Sequence, residues 1–223
     1  MWRIEGELGE RGTPYDRRAA VYDRLVRSRI YNRLAWSTSP DDYVTFGAAA
    51  IASAGGPLLE VAVGSASATA RLHAHSRRPT TLVDLSRPML ERAGRGIAAA
   101  GADREVRRPP PLRLVRADLF ALPFPDHGFA TVMGLGLTHL FDDLEPVVRA
   151  LGRQLAPGGE LHLAGLVAQT RRGRSYLALL HRFGEVAQPR TAEELQVALG
   201  RPAAFSVAGC MAYARLDSAR LES

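Results

Sequence analysis

Leu58-Leu59-Glu60-Val61-Ala62-Val63-Gly64-Ser65-Ala66-Ser67 is the stretch that decides the fold. Its first six residues are an almost unbroken apolar run, the pattern of a short strand buried on both faces. The run enters a turn of small residues and continues as a helical stretch through Leu72. A strand that meets a helix through such a turn lets backbone amides approach a ligand closely, in the crevice beyond the carboxyl ends of the strands.

Outward from this stretch the alternation repeats. Thr80-Thr81-Leu82-Val83 is a second apolar run and ends at Asp84, twenty residues after Gly64. A carboxylate there can accept two hydrogen bonds from ribose hydroxyls. Ser86 and Pro88 open a helix reaching about Ala100, with Ser86 as its N-cap. Leu112 to Val115 is a third strand, with Asp118 just past it, placed to accept from an adenine amine. Phe129 to Met133 is a fourth. Leu144 to Leu155 is a helix closed by Ala156-Pro157-Gly158-Gly159, and Glu160 to Leu166 is a fifth strand.

Helices are then expected at 175–183 and 191–199, and two short strands at 205–207 and 211–216. Upstream, residues 15–35 carry apolar side chains at helical spacing, and a further helix runs from Pro40 to about Ala54. The pattern predicts an α/β chain of one domain: a Rossmann-like, doubly wound, mostly parallel seven-stranded sheet with an antiparallel C-terminal strand. A helical cap is expected over 1–55 and the core over 56–223.

Composition narrows the chemistry. All 29 basic residues are arginine, which removes Schiff-base, P-loop and protein-kinase mechanisms, since each needs a lysine. A single cysteine, Cys210, removes an internal disulfide framework and multi-cysteine zinc sites. Thirty-five alanines, four isoleucines and one asparagine accompany the arginines. That usage is typical of a GC-rich coding sequence, so the net charge of +6 argues little for a polyanionic partner. The basic pairs, among them Arg77-Arg78 and Arg171-Arg172, are scattered and read as surface, and nucleic acid is not an expected partner. The first eighteen residues lack a signal-peptide core, and no apolar run approaches 18 residues. A soluble cytoplasmic protein, monomer or homodimer, with no membrane partner, is expected. His73 and His75 are two residues apart and would face different sides of a helix, so no metal is expected.

The ordered set of motifs resembles the class I S-adenosylmethionine-dependent methyltransferases, in particular the small-molecule branch typified by ubiquinone and menaquinone biosynthesis. Leu59 to Ala66 is similar to the glycine-rich first motif and Leu82 to Leu90 to the second-strand motif. Ala117-Asp118 through Asp126 is similar to the third, Phe129 to Phe141 to the fourth, and Leu155 to Leu161 to the fifth. Tyr15-Asp16, Tyr22-Asp23 and Tyr31-Asn32 to Trp36 look like the cap helices of that branch.

The resemblance implies S-adenosylmethionine as cofactor and a small-molecule methyl acceptor. It further implies that Ala62, Gly64 and Ser65 pass close to the methionine part and that Glu60 orients their loop. Asp84 would hold the ribose, Leu85 and Met89 would flank the adenine, and Asp118 with Leu119 would bind its edge. Gly134 and Leu135 would lie near the sulfonium. Trp36 belongs either to a lid over the cofactor or to the core of the cap, with Tyr15 and Tyr22. His139, after the fourth strand, is the one candidate for a catalytic base.

Two departures from the family pattern stand out. The outer glycines of the first motif are Ala62 and Ala66, and the aspartate usual in the fourth-strand motif is Ala130. They keep open a methyltransferase-like protein that binds cofactor or substrate for a non-methylating reaction, or a non-enzymatic binding module.

Overall fold

A computed structural model describes residues 4–6, 39–102, 111–200 and 202–221. The cap helix expected over 15–35, with Tyr15, Tyr22 and Trp36, lies outside the described residues.

The strands are β1 (Ile4–Glu5), β2 (Leu58–Val61), β3 (Thr80–Asp84), β4 (Leu112–Arg116), β5 (Phe129–Gly134), β6 (Leu155–Leu166), β7 (Ala204–Ala208) and β8 (Met211–Asp217). They form one sheet in the order β1-β4-β3-β2-β5-β6-β8-β7. The first six are parallel, and β8 runs antiparallel to both β6 and β7. The sheet therefore has eight strands where the sequence indicated seven. The extra one is the two-residue edge strand β1, with Ile4 aligned on Leu114. Two residues in a charge-alternating segment offer no apolar run, so periodicity could not reveal them.

The described helices are α1 (Pro40–Ala52), α2 (Ala70–His75), α3 (Arg87–Ala102), α4 (Glu145–Gly152), α5 (Arg171–Arg182), α6 (Ala192–Ala198) and α7 (Ser218–Leu221). Among them no helix is long and apolar enough to cross a membrane. Their starts follow local chemistry. Ser39 and Asp42 form a capping box on α1, Thr191 and Glu194 form one on α6, and the Thr170 hydroxyl accepts from the Gly173 amide at the start of α5.

Alternate residues of each strand supply two cores. Leu59, Val61, Val83, Val115 and Val132 pack against Val147 and Leu151 of α4 and Leu195 of α6. On the opposite face Leu82 and Leu114 meet Leu90, Ala93 and Ile97 of α3, and Leu58 and Met133 meet Ala50 of α1. Helices cover both faces, so the central strands read as continuous apolar runs.

One arginine read as surface is structural. Arg78 donates to the carbonyls of Ala50, Ile51 and Gly56 and to the Thr131 hydroxyl, satisfying the end of α1. Partial burial lowers its pKa, and the carbonyl ring around it supplies the compensating bonds. The Ala156–Gly159 segment, expected as a loop, lies inside β6 at an irregularity in its pairing with β5. A side chain at Gly159 would meet the Ala156 carbonyl at 2.8 Å and the Ala130 carbonyl at 3.0 Å, so only glycine fits there.

Candidate functional site

Strand order reverses at the boundary between β2 and β5. Sequence runs outward from β2 through β3 and β4 on one side, and from β5 to β6 on the other. At such a switch point the helices diverge to opposite faces and leave a crevice at the carboxyl edge. The residues following β2, β3, β4 and β5 rim that edge, and these are the ones the sequence singled out.

The turn after β2 is built from left-handed backbone. Ala62, Gly64 and Ala66 have φ of 50°, 56° and 53°. All three positions where the resembling motif carries glycine thus adopt a glycine-type conformation, two of them with a methyl group. A left-handed alanine costs about 1–2 kcal/mol, which the surrounding structure must supply. Open space surrounds Gly64, with nothing within 4 Å of where a Cβ would stand. Ala66, by contrast, is buried and packs under α3. Ala62→Gly is therefore expected to stabilise the fold by about 1 kcal/mol, raising Tm by about 3 °C. Ala66→Gly should be close to neutral, because relief of strain is offset by losing a buried methyl worth about 0.8 kcal/mol. Thermal unfolding followed by circular dichroism checks both.

Asp84, at the end of β3, is turned into this loop. Its Oδ2 accepts from the Gly64 amide at 2.7 Å and its Oδ1 from the Ser86 amide at 2.8 Å. The carboxylate thereby fixes the turn after β2 and the start of α3 together. An ionised carboxylate only accepts, so the site calls for a donating ligand such as a diol. Asp118 sits one strand further along, and its Oδ1 accepts from the Phe120 amide at 2.9 Å.

Two large apolar side chains are left open on this rim, Leu85 at 45% and Phe120 at 51% exposure. The sequence reading named Leu85 and missed Phe120. The signal was there, since an aromatic directly after a site-forming Asp-Leu pair has no core position to fill. Arg116 reaches from the end of β4 to the Leu85 carbonyl, tying the two strand ends together. Met89 is buried in the first turns of α3 and Leu119 is partly buried.

Glu60 is buried within β2. Its Oε2 lies 2.5 Å from His73 Nε2, and its Oε1 is 3.5 Å from the Thr69 hydroxyl. It ties the strand to Thr69, at the end of the turn segment, and to His73 of α2. His73 is thus an anchor, and His75 bonds its own helix through the Arg71 carbonyl. Among the described residues no group of three or more His, Cys, Asp or Glu could hold a metal.

Gly134, the last residue of β5, and Leu135 after it are enclosed. A Cβ at Gly134 would meet the Leu137 side chain at 2.6 Å, and Leu135 is buried. Ala130 lies at the opposite edge of the sheet. Its amide donates to the Pro57 carbonyl, remote in register from Gly64 and Asp84. This departure from the family pattern therefore has no bearing on the carboxyl-edge crevice.

His139 follows β5 in a short 3-10 turn. Its Nδ1 accepts from the Leu166 amide at 3.3 Å, which leaves the ring proton on Nε2 in the neutral form. Desolvation pushes its pKa down to about 4. The unfolded chain protonates this imidazole near its ordinary 6.5, so between these values the unfolded state carries the extra proton. Stability is full above about pH 6.5 and falls as pH drops toward 4, by about 3 kcal/mol at most. Urea unfolding at both ends of that window should show the loss. His139→Asn keeps an acceptor for Leu166 without titrating, and should remove that part of the slope. Around His139, Arg190 donates to the carbonyls of Thr138, Phe141 and Asp142, and the Ala187 amide donates to the His139 carbonyl. The 186–190 segment thus clamps the loop after β5.

Comparison with known proteins agrees with this geometry. Residues 58–159 match the family model described as a methyltransferase domain. A phosphatidylethanolamine N-methyltransferase of Cereibacter sphaeroides is 32% identical over 124 residues, covering 56% of this chain and 57% of that protein. The chain thus matches little more than half the length of that relative. A geranyl diphosphate C-methyltransferase from Streptomyces coelicolor A3(2) superposes with a TM-score of 0.61 at 12% identity, over 94% of each chain. A geranyl diphosphate methyltransferase in complex with sinefungin gives 0.61 at 15% identity, over 80% of this chain and 77% of that one. At such identities the likeness is one of fold. Residues 58–159 are thus similar to a methyltransferase domain, and the sheet that carries the left-handed turn and Asp84 has the fold of these methyltransferases.

Proposed function

We propose that this protein transfers a methyl group from S-adenosylmethionine to a small-molecule acceptor, as a cytoplasmic enzyme acting without nucleic acid. The observation that carries the reading is the 2.7 Å bond from the Gly64 amide to Asp84, at a turn holding three left-handed residues. The Streptomyces coelicolor enzyme of the same fold is known with S-adenosyl-L-homocysteine. The residues present here fit an adenosyl group. An acceptor-only carboxylate meets a diol, the open space over Gly64 admits close backbone approach, and exposed Leu85 and Phe120 offer apolar faces to a flat ring.

When bound, the cofactor supplies an electrophilic methyl on sulfur. The chain's own residues orient and enclose. Asp84 takes the ribose hydroxyls, Asp118 with Leu119 takes the adenine edge, and Ala62, Gly64 and Ser65 line the path of the methionine part. Alignment of the acceptor with the methyl and exclusion of water then provide the acceleration. His139 holds a loop in this scheme and does not remove a proton, because the lone pair of its neutral ring is committed to the Leu166 amide. The acceptor accordingly brings its own nucleophile, as a free amine, a thiolate or a resonance-stabilised anion.

Purified protein incubated with methyl-labelled S-adenosylmethionine and a panel of such acceptors should transfer label. Tight binding of S-adenosylhomocysteine with no transfer to any acceptor would favour the binding-module alternative. Absence of cofactor binding would remove both readings.

A further inference from the structure

The helix α5 lies on the carboxyl edge of the sheet. Its Leu177 packs on Ala168, just past β6, and on Cys210 at the tip of the β7–β8 hairpin. Its other face carries nothing acidic. Arg171, Arg172, Arg174 and Arg182 are all exposed. Beside them Leu179 is 47% and Phe183 68% exposed, four residues apart and hence on one side of the helix. The next residue, Gly184, ends the element in a left-handed turn with φ of 69°. An arginine-rich face bearing a protruding leucine and phenylalanine is the composition that lies in the headgroup region of an anionic bilayer. A protein groove of neutral or basic character would gain nothing from four guanidinium groups that have no acidic partner among the described residues.

A second helix sharpens the contrast. Val197 of α6 is 74% exposed, but its helix carries exposed Glu193 and Glu194, which an anionic surface repels.

We propose that α5 is a peripheral docking face for a bilayer carrying anionic lipid. The lengths of the apolar runs speak only to spanning a membrane, so an expectation of no membrane partner drawn from them does not reach this contact. Docking there places the crevice edge marked by Gly64, Asp84 and Asp118 on the membrane-proximal side of the sheet, within reach of an amphiphile resident in the bilayer. The docking is a property of α5 and stands apart from methyl transfer.

Cosedimentation of the full chain with phosphatidylcholine vesicles, with and without phosphatidylglycerol, tests the proposal. The protein should partition onto the anionic vesicles and stay in solution with the neutral ones, and added salt should release it. L179D/F183D should reduce partition about tenfold. R171Q/R172Q/R174Q/R182Q should abolish the difference between the two vesicle types, and V197D should change nothing. All substituted side chains are exposed, and far-UV circular dichroism confirms that the variants fold. Equal partition onto both vesicles, or none, overturns the proposal, as does binding unaffected by L179D/F183D. A change of mass in solution on making L179D/F183D also overturns it, since the patch would then be a protein interface.

Discussion

Asp84→Ala is expected to raise the dissociation constant for S-adenosylmethionine about 100-fold. Hydrogen bonds to a charged acceptor contribute about 1.5–3 kcal/mol each, and two orders of magnitude correspond to about 2.7 kcal/mol. A pair of ribose hydroxyls on one carboxylate supplies that much, and the substitution removes more than the ligand contacts. The Gly64 amide, bonded to Oδ2 at 2.7 Å, loses its partner, and so does the Ser86 amide at the start of α3. The turn keeps its backbone bonds, among them the Val63 amide to the Val83 carbonyl, but loses the side-chain tie that joins it to the start of α3. Asp84→Asn separates the two effects. Its amide oxygen can keep one backbone bond, so the fold should survive nearly unchanged while affinity still falls by at least about tenfold. Isothermal titration with S-adenosylmethionine and S-adenosylhomocysteine reads both variants. A dissociation constant within threefold of the parent for Asp84→Ala would remove Asp84 from the site. Asp118→Ala should cost less, since its carboxylate also serves its own turn through the Phe120 amide.

The sheet and the rim of the site were legible for different reasons. Strands β2 to β5 announce themselves as short apolar runs because they are buried on both faces, and each is followed at once by the residue that matters at the rim. Strand β1 was invisible because two residues carry no period. The conformation of Ala62 and Ala66 was also beyond reach, since residue type argues against left-handed backbone and only the tertiary frame enforces it. Arg78 was misjudged, and the role of His73 was not foreseen. Arg78 satisfies the carbonyls closing α1, and His73 pairs with a carboxylate on β2. Partners that lie thirteen or more residues away leave no trace in local pattern. The same limit explains His139, whose place after β5 suggested a base, whereas the contact that commits its Nδ1 comes from Leu166 in another strand.

His73→Ala is expected to be the most destabilising single change at the site, by about 3–5 kcal/mol, the cost of orphaning one member of a buried pair. That lowers Tm by about 10 °C for a domain of this size. Glu60 is only 2% exposed and His73 1%. Without the imidazole, the partner left to the carboxyl among the described residues is the Thr69 hydroxyl at a long 3.5 Å. The pair is costly to break but need not be costly to replace. Substituting both members with leucine, as Glu60→Leu/His73→Leu, removes the buried pair and leaves only the Thr69 hydroxyl, at the long end of its bond to Glu60, to be satisfied elsewhere. Stability should return to within about 1 kcal/mol of the parent, so the two single changes must be strongly non-additive. The same double variant decides what Glu60 does for the ligand. Its oxygens meet His73 and Thr69, so affinity for S-adenosylhomocysteine should follow stability and recover to within about threefold. Recovery of the fold without recovery of binding would show instead that the carboxylate acts on the cofactor through the turn. In that event the strain at Ala62 and Ala66 would be held in place by the ligand as well as by the strand-to-helix tie.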